Sequence, residues 1–142
     1  MEPPPLAAAA ATAATAPDSL TLVVYKEATC PCCTAWVNYM RANGFRVEAH
    51  NVSDLDAVKR KHDIAPGLQS CHTTEVGGYY VEGHVPVELV RKLLAERPRI
   101  AGIAVPGMPV GSPGMEVGPP EPYDILAVDS AGRTAIFGSR GK

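Results

Sequence analysis

Four cysteines carry the chemistry this sequence offers: Cys30, Cys32, Cys33 and Cys71. Three of them fall in the run Cys30-Pro31-Cys32-Cys33. Near neighbours pair only with strain, and four cysteines in 142 residues do not make a disulfide-dense scaffold. Metal binding or thiol chemistry explains the crowding better than stapling does. Cys30 and Cys33 keep the C-x-x-C spacing of thiol–disulfide enzymes, and Cys32 is an extra sulfur that offers rival pairings. For a soft metal that third thiol is an asset, because copper(I) favours sulfur donors. Structural zinc sites usually draw their ligands from two separated knuckles, whereas here the sulfurs crowd one turn. Clustering favours copper.

Cys71 lies far along the chain, and it supplies a fourth sulfur if its loop faces the first three. The bland alternative is an inert buried cysteine acting as a small hydrophobe. His72, beside it, is the best histidine candidate for a ligand or for a group that orients one. His84 either closes over the same face or caps the entry to the next helix. His50 and His62 read as surface residues. Met108 and Met115, in the run VPGMPVGSPGMEVG, are thioether donors suited to copper(I), or else adaptable gap-fillers that anchor a loop. Met40 and Trp36 read as core.

The elements that must position these groups follow from periodicity. Leu20 to Tyr25 is a short β-branched run and predicts a buried strand. The cysteine run then opens a helix in which Cys33, Trp36, Val37 and Met40 share one face, with Asn43-Gly44 as its stop. The cysteines therefore sit at a helix N-terminus, where free N–H groups and the positive dipole end favour thiolate. Phe45 to Val52 alternates as a second strand. Ser53-Asp54 caps a helix to about His62, with Leu55 and Val58 inward. Gly77-Gly78 predicts a hairpin between Thr73–Val76 and Tyr79–Glu82.

A helix from Pro86 to Arg97 carries the stripe Val90, Leu93 and Leu94. Arg99 to Pro122, rich in Gly and Pro, predicts one long loop, and Tyr123–Val128 with Thr134–Phe137 a closing hairpin. The expected class is α/β and thioredoxin-like: a central mixed sheet flanked by helices, two on one face and one on the other. The long Gly/Pro-rich loop and the C-terminal hairpin complete it.

Composition bounds the rest. A length of 142 residues, 46% hydrophobic and 20% charged, suits one soluble domain with its own core. A net charge of -2 without a basic run argues against nucleic-acid binding, and no apolar run is long enough to span a bilayer. Residues 1–19, rich in Ala, Pro and Thr, lack the regions of a secretory signal and predict a flexible spacer before a domain at 20–142. Spacers of this kind commonly follow an export or anchoring segment. Paired carboxylates, a phosphate-cradling glycine loop and a serine nucleophile motif are absent.

The runs VYKEATCPCCTAWVNYMRANGF, SCHT, GYYVEGHVP, GIAVPGMPVGSPGME and EPYDILAVD resemble the CopG-type copper-resistance family of bacteria, from about Leu20 to Phe137. The resemblance implies a periplasmic, thioredoxin-like protein holding a multinuclear copper–thiolate cluster. Cys30, Cys32, Cys33 and Cys71 match the family's ligands. His72, Met108 and Met115 match further motif positions. The resemblance also implies a part in copper tolerance that extends to interconverting Cu(I) and Cu(II). Expected partners are copper ions, with other periplasmic copper-handling proteins or an electron-transfer partner. Two other readings stay open: a thiol–disulfide oxidoreductase with Cys30 and Cys33 as its catalytic pair, and a structural zinc module. An iron–sulfur cluster fits no common cysteine spacing here.

Overall fold

A computed structural model describes residues 20–142, so the expected spacer at 1–19 lies outside the described residues. The chain runs β1 (Thr21–Lys26), α1 (Pro31–Ala42), β2 (Arg46–Asn51), α2 (Leu55–Lys61), a 3-10 turn (Pro66–Leu68), β3 (Thr73–Val76), β4 (Tyr79–Glu82), α3 (Val87–Glu96), β5 (Gly102–Ala104), β6 (Tyr123–Val128) and β7 (Thr134–Arg140). The strands form one seven-stranded mixed sheet in the order β2-β1-β3-β4-β5-β6-β7. β1 pairs with β2 in parallel and with β3 antiparallel, which brings the hairpin back alongside the opening strand.

Local chemistry explains the elements nearest the cysteines. Leu22 and Val24 alternate into the core along β1 and are fully buried. Pro31 opens α1, where its missing N–H costs nothing. Cys33, Trp36, Val37 and Met40 form its buried face. The helix ends as Asn43 Nδ2 donates to the Tyr39 carbonyl at 2.8 Å. Asp54 caps α2 by accepting from the Ala57 N–H at 3.1 Å.

The main core gathers Trp36, Val37 and Met40 of α1, Val90 and Leu93 of α3, and Leu22, Val24 and Val81 of the strands. α1 and α3 thus share one face of the sheet. The opposite face takes the alternate strand positions, Tyr80 and Glu82 among them, and α2 covers it. This is the expected disposition of two helices against one.

Three expectations need correction. The stretch read as one loop contains β5, which pairs in parallel with β4 and antiparallel with β6 and joins the C-terminal hairpin to the sheet. Its three residues are all buried, so tertiary pairing rather than local sequence makes it a strand. In α2 the fully inward residue beside Leu55 is Lys59, at 4% exposure, whereas Val58 is only half-buried. The last strand runs on to Arg140.

Candidate metal centre

Four chain segments meet above the C-terminal end of β1: the N-terminus of α1, the Ser70–His72 turn into β3, the Gly83–His84 turn out of β4, and the Gly/Pro-rich loop. The Sγ atoms of Cys30, Cys32, Cys33 and Cys71 all lie within 4.8 Å of one another. Cys32 Sγ is 3.5 Å from Cys30 Sγ and 3.9 Å from Cys71 Sγ. The reach across 39 residues that the sequence required is therefore made. Cys33 is fully buried, whereas Cys32 and Cys71 are half-buried at the mouth.

Cys30 and Cys33 are joined as a disulfide, with their Cα atoms 5.3 Å apart. Strained pairing is what the crowding predicts, and the pair that is joined is the C-x-x-C couple of the oxidoreductase reading. Adjacent cysteines are strained partners, but two separated by one helical turn fall within the usual span. In this state the free thiols are Cys32 and Cys71.

Met108 joins the group: its Sδ lies 3.7 Å from Cys32 Sγ, with the side chain 47% exposed, so it lines an open rim and does not fill core space. Met115 shapes the loop instead. Its carbonyl accepts from the Gly111 N–H at 2.8 Å, and no hydrogen bond links its sulfur to the cysteines among the described residues.

His84 proves better placed than its sequence context suggested. Its Nδ1 lies 2.7 Å from the Pro113 carbonyl, which only accepts, so Nδ1 carries the proton and donates. Nε2 then presents its lone pair to Cys71 Sγ, 3.0 Å away. An imidazole anchored through one nitrogen and aimed through the other is the common arrangement of a metal-ligating histidine. Gly114 lets the loop come this close. With φ at +91°, a Cβ there would stand 3.0 Å from both the Cys32 carbonyl and His84 Nδ1.

His72 is wholly buried between Trp36 and His84, with ring centroids 4.8 and 4.9 Å away. Its Nδ1 is 3.3 Å from Cys71 Sγ. Among the described residues its Nε2 is a buried nitrogen without a hydrogen-bond partner. Cys71, His72 and His84 form a second close group of donors that shares Cys71 with the first. His50 is exposed, as expected. His62 is less of a surface residue than expected, since its Nε2 lies 2.6 Å from a Glu75 carboxylate oxygen.

Burial governs the titration of this site. It pushes the Cys71 thiol up to about 12, with nearby Cys32 adding to the effect, so Cys71 is protonated at neutral pH in the metal-free chain. Burial also holds His72 well below the usual histidine value, with His84, Lys59 and Lys26 reinforcing it, and lowers His84.

The unfolded chain takes up protons at both histidines near the ordinary 6.5, and the folded metal-free chain does not. Stability must therefore fall as pH drops below 6.5, by up to about 1.4 kcal/mol per pH unit for each histidine until its folded pKa is reached. Urea midpoints of the metal-free protein should decline between about pH 6.5 and about pH 5, above the range where carboxylates titrate. A flat profile there would contradict neutral, buried imidazoles.

Residues 68–115, which hold Cys71, His72, His84, Met108 and Met115, match the family described as protein of unknown function DUF411. No curated protein matches the chain. Two solved structures of the copper resistance protein copG do. Form 2 is 40% identical with a TM-score of 0.81, covering 85% of this chain and 98% of its own. Form 1 is 39% identical with a TM-score of 0.82, covering 87% and 99%. This chain belongs to the CopG family. No helix among the described residues is long and apolar enough to cross a membrane. CopG membership and the cysteine cluster together support a copper-related function.

The donor set of this CopG-family chain suits a soft metal: thiols, a thioether on the rim and an aimed imidazole are soft or borderline donors, with no carboxylate in either close group. Reasoning from sequence missed the buried polar residues behind the site, Lys59, Thr73 and Glu82. One signal was available. Thr73 and Glu82 face each other across a hairpin whose second strand is otherwise apolar or aromatic, directly before Gly83-His84.

Proposed function

We propose that this protein binds copper as a thiolate cluster of several ions through Cys30, Cys32, Cys33 and Cys71 and contributes to copper tolerance in the periplasm. The observation that carries the reading is the convergence of four sulfurs, three from one turn and one from a distant loop, within 4.8 Å. Met108 supplies a thioether at the rim, His84 an aimed nitrogen, and His72 a buried imidazole against Cys71. Met115 supports the loop. Residues 20–142 act as one copper-binding domain, and 1–19 as a spacer. Copper ions are the first partners of this role, with other periplasmic copper-handling proteins or an electron-transfer partner beside them.

The closed Cys30–Cys33 bond gives the role a redox side. Its reduction consumes two electrons and two protons and adds two thiols to the free pair. Full ligation by four cysteines belongs to the reduced chain, and copper redox interconversion belongs to the same site.

The same bond favours a second reading, thiol–disulfide exchange with Cys30 as the attacking sulfur and Cys33 as its resolving partner. Two measurements on one preparation separate the readings. Reduced protein loaded anaerobically with Cu(I) should keep its copper against excess Zn(II), and the metal-free protein should show no more insulin reduction than a small dithiol. Displacement of copper by zinc would favour the structural zinc module. Rapid metal-free insulin reduction would favour the oxidoreductase.

A further inference from the structure

Behind the cysteines lies a closed polar ring inside the sheet–helix interface. The Glu82 carboxylate, fully buried at the end of β4, forms an ion pair with Lys59 Nζ of α2. Lys59 also donates to Thr73 Oγ1 at 2.9 Å, and Thr73 Oγ1 donates to Glu82 Oε1 at 2.6 Å. Glu82 Oε2 accepts one more bond, from the Ser70 N–H at 2.8 Å. Ser70 precedes Cys71, and Thr73 follows His72. One carboxylate thus grips the chain on both sides of Cys71-His72.

The backbone continues the grip. The Gly83 N–H donates to the His72 carbonyl at 3.1 Å. Gly83 has φ at +83°, and a Cβ there would meet the Val105 carbonyl at 2.6 Å and Ser70 Cβ at 2.7 Å. The turn carrying His84 is therefore pressed onto the turn carrying Cys71. A buried ion pair adds little net stability over an apolar pair of similar volume, so its retention calls for another role. Here the hydrogen bonds that the pair makes beyond itself go to Ser70 and Thr73, on either side of the residues that present one thiol.

We propose that Glu82, held by Lys59, is the positioning residue of the metal centre, fixing Cys71 and His84 in register with the cysteines of α1. The affinity part of this proposal rests on the copper reading above. The geometric part does not.

In Glu82→Gln one carboxylate oxygen becomes an NH2 group that cannot accept, so either Ser70 and Lys59 or Thr73 loses its acceptor, and Lys59 loses its counter-charge. The test pairs two readouts on reduced full-length protein: anaerobic Cu(I) titration against a chromophoric chelator, and the rate at which iodoacetamide alkylates Cys71 relative to Cys32 in the metal-free state. Glu82→Gln should weaken copper binding by about 10- to 100-fold, the usual consequence of altering the groups behind metal ligands. It should also speed Cys71 alkylation by about tenfold as the turn loosens.

Thr73→Val should move both readouts the same way by less, and it carries the test if Glu82→Gln does not fold. Leu93→Ala, a core variant remote from the ring, should move neither. Unchanged affinity and alkylation in folded Glu82→Gln overturn the proposal. So does Leu93→Ala reproducing both shifts, since general loosening would then suffice. If the wild-type protein takes up no copper, the copper reading fails, and the alkylation rate alone decides the role of Glu82.

Discussion

Cys32→Ser is expected to remove the copper–thiolate absorption of the loaded protein and to weaken copper binding by about 100-fold or more. Cys32 stands at the centre of the sulfur group, 3.5 Å from Cys30, 3.9 Å from Cys71 and 3.7 Å from the Met108 thioether. A four-ligand metal site in a small domain is worth roughly 10–16 kcal/mol, so one ligand carries about 3 kcal/mol, which is about 100-fold in affinity. A serine hydroxyl is a hard donor that stays protonated at neutral pH and does not replace a thiolate. The fold should be spared, because Cys32 is half-buried and outside the core. The Cys30–Cys33 pair is also untouched, so the variant separates the two readings of the motif. Retention of both the absorption and the affinity in Cys32→Ser would leave Cys32 without a role in copper binding.

Trp36→Ala should cost about 3–5 kcal/mol of folding stability, the range for deleting a buried aromatic side chain. In a domain of this size that lowers the melting temperature by on the order of 10–20 °C. Trp36 is fully buried, its indole N–H donates to the Val85 carbonyl at 3.0 Å, and its ring lies against His72. The cavity would open directly behind the Cys71-His72 segment, so copper affinity should fall along with stability. Trp36→Phe keeps most of the packing but orphans the Val85 carbonyl, a loss of about 1–3 kcal/mol. Thermal denaturation of the two variants in the metal-free state checks the order. Equal melting temperatures for Trp36→Ala and the parent would mean that the core does not depend on this ring.

Some of this architecture was legible in the residues. Gly77-Gly78 marked the hairpin because two-residue turns select glycine, and the observed strands end where that turn predicts. The buried face of α1 followed from helical spacing. Cys71 was legible as a partner of the first three cysteines only through the layout of the fold, which brings the turn before β3 to the start of α1.

What stayed hidden is set by long-range contacts. β5 is three residues of Gly-Ile-Ala, and it becomes a strand because β4 and β6 lie on either side of it. Met108 and Met115 sit in similar Pro- and Gly-rich surroundings. Only the backbone course of the loop puts the sulfur of Met108 on the rim and makes Met115 part of a turn. Lys59 reads as one of several solvated helix charges, until Glu82 supplies the partner that lets it be buried.

X-ray absorption at the copper edge, on full-length protein reduced and loaded anaerobically with Cu(I), tests the central claim most directly. Sulfur should dominate the nearest shell, with a copper–copper distance visible beyond it and more than one ion bound per chain. A nearest shell of nitrogen and oxygen, unchanged in Cys71→Ser, would contradict the thiolate cluster.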